Sequence, residues 1–103
     1  MKMIMWATDV VEKNIGEARA YAEKAHALKE ENRAAADWCI KMAKAHLDFN
    51  TEGHAVAERM ISDYKAGGMK SPLEAGMTEV YNAKHADLIR KTAEVKTMLE
   101  MYK

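Results

Sequence analysis

Apolar residues recur every three or four positions along three stretches of the chain, which is the spacing of amphipathic helices. The last stretch has heptad-like steps of four and three residues, through Tyr81, His85, Leu88, Thr92, Val95, Leu99 and Tyr102. The middle stretch runs through Ala35, Trp38, Cys39, Met42, His46, Phe49, Gly53, Val56, Met60 and Tyr64. The first runs through Ile4, Val11, Ile15, Ala18, Ala22 and Ala25. No segment alternates long enough to form a strand, so the pattern predicts an all-α fold.

Helix boundaries follow from breaking and capping residues. Gly67 suits the end of a helix, and Ser71, Pro72 and Glu74 form the cap of the next one. An earlier turn is expected near residues 29–32, because one helix from residue 4 to 66 would exceed about 90 Å at roughly 1.5 Å per residue. These signals predict an antiparallel bundle of three long helices, at about 2–28, 32–66 and 72–102, in a single domain covering 1–103.

Two features of this pattern concern packing. Ala18, Ala22 and Ala25 would let a neighbouring helix approach closely. Asn50–Gly53 could interrupt the middle helix, but one long helix is favoured, with Gly53 again allowing close approach. The second and third helices look longer than the first, and their unmatched apolar surface predicts a homodimer that completes a larger bundle.

Charge and composition exclude several function classes. Lys and Arg total 16, as do Asp and Glu, so the net charge is zero. A chain without a basic face is not expected to bind nucleic acid or an anionic membrane. The single cysteine, Cys39, cannot form an internal disulfide. The apolar start of the chain is too short for a signal sequence or a membrane span, so a cytoplasmic location is expected.

One predicted layer of the bundle could carry chemistry. If the second turn centres near residue 69, facing residues of helices two and three have numbers that sum to about 138, which places His54 level with His85. Glu58 lies one turn from His54, near the level of Tyr81. Met5, Trp6 and Asp9 are expected to close the layer. Two histidines and a carboxylate suffice for a divalent first-row metal or for acid–base work, although such a polar layer can also serve only to fix helix register.

A second candidate is Glu23-x-x-His26, which resembles the Glu-x-x-His element of ferritin-like carboxylate bundles. The resemblance implies a four-helix core, completed here by dimerisation, in which two such elements and two further Glu hold two iron ions. A second Glu-x-x-His element that ended at His85 would need a Glu three residues earlier, but that position is Asn82. Carboxylates from Asp37 and Glu100, near the level of Glu23, would have to contribute.

These observations favour a structural or protein-interaction role through self-association, with no cofactor and no catalysis. The alternative is a ferritin-like metal-binding protein or oxidoreductase that holds iron or zinc between helices or subunits, with His54, Glu58, His85, Glu23 and His26 as candidate ligands. A third hypothesis is a small-ligand pocket, which would be lined by Trp6, Trp38, Phe49 and Tyr81.

Overall fold

The computed structural model confirms the all-α class and the three helices. It describes residues 2–67 and 72–103, and the side chains of 5–63 and 79–103. The helices are α1, Lys2–Leu28; α2, Arg33–Ala66; and α3, Pro72–Glu100, and α2 continues without a break through Gly53. They form a rod about 57 Å long and 18 Å across. The predicted cap of Ser71 and Glu74 lies outside the described residues, as does the side chain of Tyr64.

The turn between α1 and α2 contains neither glycine nor proline. Asn32 forms it through two hydrogen bonds. The Asn32 side-chain Oδ1 accepts a hydrogen bond from the Ala35 backbone N–H at 3.1 Å, which caps the start of α2. The Asn32 backbone N–H donates to the last carbonyl of α1, that of Leu28, at 2.8 Å. Asparagine therefore satisfies both helix ends, and α2 starts one residue later than expected.

Alanines bring α1 and α2 into close contact. Five of them have no solvent exposure: Ala18, Ala22, Ala25, Ala36 and Ala43. Side chains this small let two helix backbones approach each other along most of their length. The tightly packed neighbour that the alanine pattern of α1 predicted is therefore α2.

The third helix packs on α1 rather than on α2. Leu88 and Val95 of α3 enter a cluster with Ile15 of α1. Lys84 Nζ of α3 adds ion pairs to Asp9 at 3.3 Å and to Glu12 at 3.2 Å. Over the residues that the structure describes, α2 and α3 approach each other closely only at isolated points. The first helix is therefore central, and a groove runs between the other two.

The buried face of α2 differs from the predicted apolar stripe. Its buried residues are Ala36, Cys39, Ile40, Ala43, Leu47, Asn50 and Ala57. Trp38, Phe49 and Val56 of the predicted stripe are 55%, 53% and 59% exposed. The face of α2 that packs on α1 is the one with small side chains, because only this face allows the two backbones to approach closely. The large side chains lie beside this face. The second helix consequently has two apolar surfaces, one buried and one exposed.

The packing at Gly53 gives a stability prediction. A Cβ built on Gly53 would lie 3.6 Å from Val11 Cγ2, an ordinary contact, so close approach does not require glycine here. We expect Gly53→Ala to raise the free energy of unfolding by roughly 0.5–1 kcal/mol, because alanine has the higher helix propensity. Urea denaturation would measure this. Gly16→Ala, where a Cβ meets nothing within 4 Å, is the matched control. A loss of stability confined to Gly53→Ala would contradict the prediction.

Candidate metal centre

Two histidines face each other across the groove between α2 and α3. The Nε2 atoms of His54 and His85 are 2.5 Å apart, and their rings stack with centroids 4.7 Å apart and planes 12° apart. The sequence placed the two residues at one level, and the structure brings them together there. One ring donates a hydrogen bond to the other in this arrangement, which requires opposite tautomers of the two histidines.

Glu58 supplies a carboxylate to the same point. It follows His54 by one helical turn, and its Oε1 lies 3.3 Å from His54 Nε2. One ligand atom from each of His54, Glu58 and His85 lies within 4.8 Å of the others. Among the other residues that the structure describes, no further set of three histidine, cysteine or acidic residues converges in this way.

Tyr81 forms one wall of this site. It precedes His85 by one turn of α3, and the two rings stack with centroids 5.6 Å apart and planes 12° apart. Tyr81 is 7% exposed, and this burial raises the pKa of its hydroxyl, as does, to a smaller extent, the negative charge of Glu58. Tyr81 therefore stays neutral and limits rotation of the His85 ring.

The donor set matches first-row divalent metals in number and chemistry. Zinc takes imidazole nitrogen at about 2.0–2.1 Å, and open zinc sites commonly have three protein ligands. Tetrahedral bonds of that length would separate the two nitrogens by about 3.3 Å, so the rings would have to part slightly. The His54 and Glu58 side chains are 43% and 58% exposed, which leaves them room to adjust.

The residues of the ferritin-like resemblance have other partners. Glu23 Oε1 accepts a hydrogen bond from Arg19 Nε at 3.0 Å, and His26 Nε2 lies 2.9 Å from the Met98 carbonyl oxygen. Asp37 Oδ1 accepts hydrogen bonds from Arg33 Nε and the Tyr102 hydroxyl. The His26 contact joins α1 to α3 and the Tyr102 contact joins α2 to the segment after α3, whereas the two arginine contacts lie within single helices. These contacts give a di-iron site no geometric support, and Glu23 and His26 as metal ligands stay a prediction.

The expectation that Trp6 and Asp9 of the first helix close the histidine layer was wrong. Asp9 is paired with Lys84, and Trp6 is 64% exposed. Ala7, Thr8 and Val11 form the α1 side of the groove instead. The predicted aromatic pocket does not form, because Trp6, like Trp38 and Phe49, lies on the surface whereas Tyr81 lines the groove. Large aromatic side chains do not fit between helices that pack through alanine.

His46 has a packing role. Its Nδ1 lies 3.0 Å from Asn14 Oδ1, its Nε2 lies 3.4 Å from a Glu17 carboxylate oxygen, and its ring stacks on Tyr21 with centroids 5.6 Å apart. Both ring nitrogens therefore have partners from α1. This arrangement fixes the register of α1 against α2, as a seam histidine with hydrogen-bond partners is expected to do.

The groove that contains the histidine pair has a volume of about 320 Å³, with His54, Tyr81 and His85 among its lining residues. Asn50 of α2 lies in it, is 5% exposed and donates from Nδ2 to the Val11 carbonyl oxygen at 3.0 Å. Its Oδ1 is buried without a hydrogen-bond partner. The sequence indicated Asn50 only as the start of a possible break in the helix, and its burial was not predicted. The available signal was its spacing of three residues after Leu47 and seven before Ala57, on the face that the alanines define.

Comparison of the chain with protein-family models, with curated proteins and with solved structures gave no match. Over the described residues, no helix combines the length and apolar character needed to cross a membrane. Function must therefore be argued from the arrangement of the side chains.

Proposed function

We propose that this protein binds one divalent transition-metal ion through His54, Glu58 and His85. The observation that carries the proposal is the convergence of two imidazole nitrogens and one carboxylate oxygen, from two helices, within 4.8 Å. Imidazole together with carboxylate suits zinc, and two histidines with one carboxylate also form the open sites of iron(II) oxygenases.

The surroundings of the three ligands define the kind of site. A bound ion would have open coordination positions, because three side chains do not complete a tetrahedral or octahedral shell. Ligands that are about half exposed would let it exchange with solvent. One carboxylate favours a single ion over the pair of ions that the ferritin-like resemblance implies. The proposal is thus an exchangeable site for one metal ion, with zinc or iron(II) as occupant.

Metal stoichiometry and coordination test this proposal. We expect native mass spectrometry of the wild-type chain, equilibrated with zinc, to show one ion per chain. Cobalt(II) in place of zinc should give the visible absorption of a nitrogen- and oxygen-coordinated ion. His54→Ala and His85→Ala should each lose most of the bound ion, since either change leaves only two ligands.

The matched control is His26→Ala, which removes an exposed histidine outside the site. It should retain one ion per chain. Zinc binding that is equally strong in wild type and in the His54→Ala, His85→Ala double variant would overturn the proposal. So would an unchanged cobalt spectrum in that variant.

A second proposal, self-association, rests on an apolar stripe of α2 in which Trp38, Phe49 and Val56 are more than half exposed and the two methionines and Gly53 are half-buried. The stripe consists of Trp38, Met42, Ala45, Phe49, Gly53, Val56 and Met60, and its steps of 4, 3, 4, 4, 3 and 4 residues are symmetric about Phe49. A second copy lying antiparallel across Phe49 would therefore place apolar residues opposite apolar residues. Closed two-fold dimers require such self-complementary surfaces, and the zero net charge of the chain does not oppose association.

Sedimentation analysis tests this second proposal. We expect a concentration-dependent dimer for the wild type and a monomer for Phe49→Lys, because a lysine at the centre would bring two like charges together in the interface. Ala55→Lys, an exposed position outside the stripe, is the control and should stay dimeric. A wild-type chain that stays monomeric at the highest concentration, or a Phe49→Lys variant as dimeric as the control, would contradict the proposal.

A further inference from the structure

We propose that the metal ion held by His54, Glu58 and His85 takes as a further ligand the carboxylate of a small monocarboxylic acid. In this proposal the unbranched alkyl chain of the acid lies along the groove between α2 and α3. The inference rests on the proposed function, because it names the class of molecule that the metal site would bind.

The metal position borders the groove. His54 and His85 both line the groove, whereas Glu58 does not. An ion bound between the two imidazole nitrogens would therefore lie at the wall of the groove. Three protein ligands leave a coordination position open on such an ion, and a donor that enters along the groove can reach it.

The charge of the site selects an anionic donor. Imidazole binds a metal in its neutral form, so a divalent ion with Glu58 as its one anionic ligand keeps a net positive charge. Among the described residues that line the groove, the only side chain with a formal charge is Lys96, which is also cationic. No acidic side chain of this described lining would repel a carboxylate.

The ion is a stronger site for the carboxylate than Lys96 is. Lys96 follows His85 by eleven residues, which is about 16 Å along α3 at the helical rise. One carboxylate cannot contact both positions. The Lys96 side chain is exposed, so that solvent and salt screen its charge, whereas the ion forms a direct bond to the oxygen.

The groove between these two positions suits an alkyl chain. Leu47 precedes His54 by seven residues, about 10 Å along α2, and the buried side chains of Leu47 and Leu88 line this stretch. The hydroxyls of Thr51 and Thr92 already donate to the carbonyl oxygens of these two leucines, at 3.1 and 2.8 Å. The volume of about 320 Å³ is at the lower end of the range for ligand pockets, roughly 300–1,000 Å³.

Three probes test the proposal on the cobalt(II)-loaded full chain: butanoate, hexanoate and hexanol. The visible spectrum of cobalt reports whether a carboxylate joins its ligands. We expect both acids to change the spectrum, with hexanoate acting at a roughly tenfold lower concentration, because each buried methylene contributes about fourfold in affinity. Hexanol has the same chain without the carboxylate and should leave the spectrum unchanged.

Two serine variants of α3 test whether the chain lies in the groove. Ile89 lines the groove and is 56% exposed, and Val80 is 50% exposed outside the groove lining. Ile89→Ser should lower the preference for hexanoate over butanoate by roughly threefold, because it removes apolar surface that the chain would cover. Val80→Ser is the matched control and should keep the wild-type preference.

Lys96→Gln tests the competing position of the carboxylate. We expect its affinity for hexanoate to stay within about twofold of the wild type, and a larger loss would overturn the proposal in favour of a lysine site. Acids that bind equally well, or that leave the cobalt spectrum unchanged, would overturn it while the metal site itself stands. A wild-type chain that binds no cobalt in native mass spectrometry would overturn the proposed function and this inference together.

Discussion

Zinc at about a hundredfold excess over its dissociation constant should raise the melting temperature of the wild-type protein by roughly 10–20 °C. Binding to the folded state alone contributes about 2.7 kcal/mol at that excess. A domain of this size gains roughly 4–8 °C per kcal/mol. The two histidines belong to α2 and α3, which otherwise have little mutual contact over the residues that the structure describes. An ion that joins them would therefore strengthen the weakest link between helices, and differential scanning calorimetry with and without zinc measures the shift.

Variants separate this effect from unspecific binding. His85→Ala should abolish the zinc-dependent shift, and Glu58→Gln should reduce it, because the amide keeps the shape of the side chain but loses the anionic ligand. His26→Ala should shift as the wild type does. A rise of the same size in His85→Ala would show that zinc stabilises the chain from somewhere else.

Ala22→Leu should lower the free energy of unfolding by about 1–3 kcal/mol, the usual cost of forcing extra methylene groups into a packed core. Ala22 has no solvent exposure and shares a cluster with Ala43 of α2. A leucine there must push α1 and α2 apart along the face on which the alanines meet. The expected fall in melting temperature is on the order of 10 °C.

Ala20→Leu gives the comparison for this change. It alters an exposed alanine of the same helix, and leucine and alanine have similar helix propensities. Its stability should stay within about 0.5 kcal/mol of the wild type. If Ala22→Leu were as stable as Ala20→Leu, the close α1–α2 packing would be wrong.

The helices were predictable because local chemistry determines where they begin and end. Apolar spacing predicted the class, and the Gly67–Pro72 segment predicted the end of α2 and the start of α3. The turn between α1 and α2 followed only from the limit on helix length, and all predicted boundaries lie within two residues of those observed. The meeting of His54 and His85 was also predictable, because antiparallel helices pair residues by simple addition, and the two numbers sum to 139. That addition needs only the turn position and the helical rise.

The rotation of each helix about its axis could not be predicted in the same way. Trp38 and Phe49 fit the apolar spacing as well as Ala36 and Ala43 do, and hydrophobicity alone ranks the aromatic residues higher. The alanine face is buried because it allows a closer approach of the backbones, and this depends on the shape of both helices together. The burial of Asn50 could not be predicted for the same reason, since it follows only once the buried face of α2 is known.

The central position of α1 has a consequence for how the molecule opens. Since α3 is held mainly by α1, it can detach while α1 and α2 stay packed through their alanines. Such partial openings set the rates at which backbone amides exchange with solvent hydrogen. Amides of α3 are therefore expected to exchange faster than the central amides of α1 and α2. An ion held by His54 and His85 would join α3 to α2 and so slow hydrogen exchange of the α3 amides selectively. Metal occupancy would then change the dynamics of one helix.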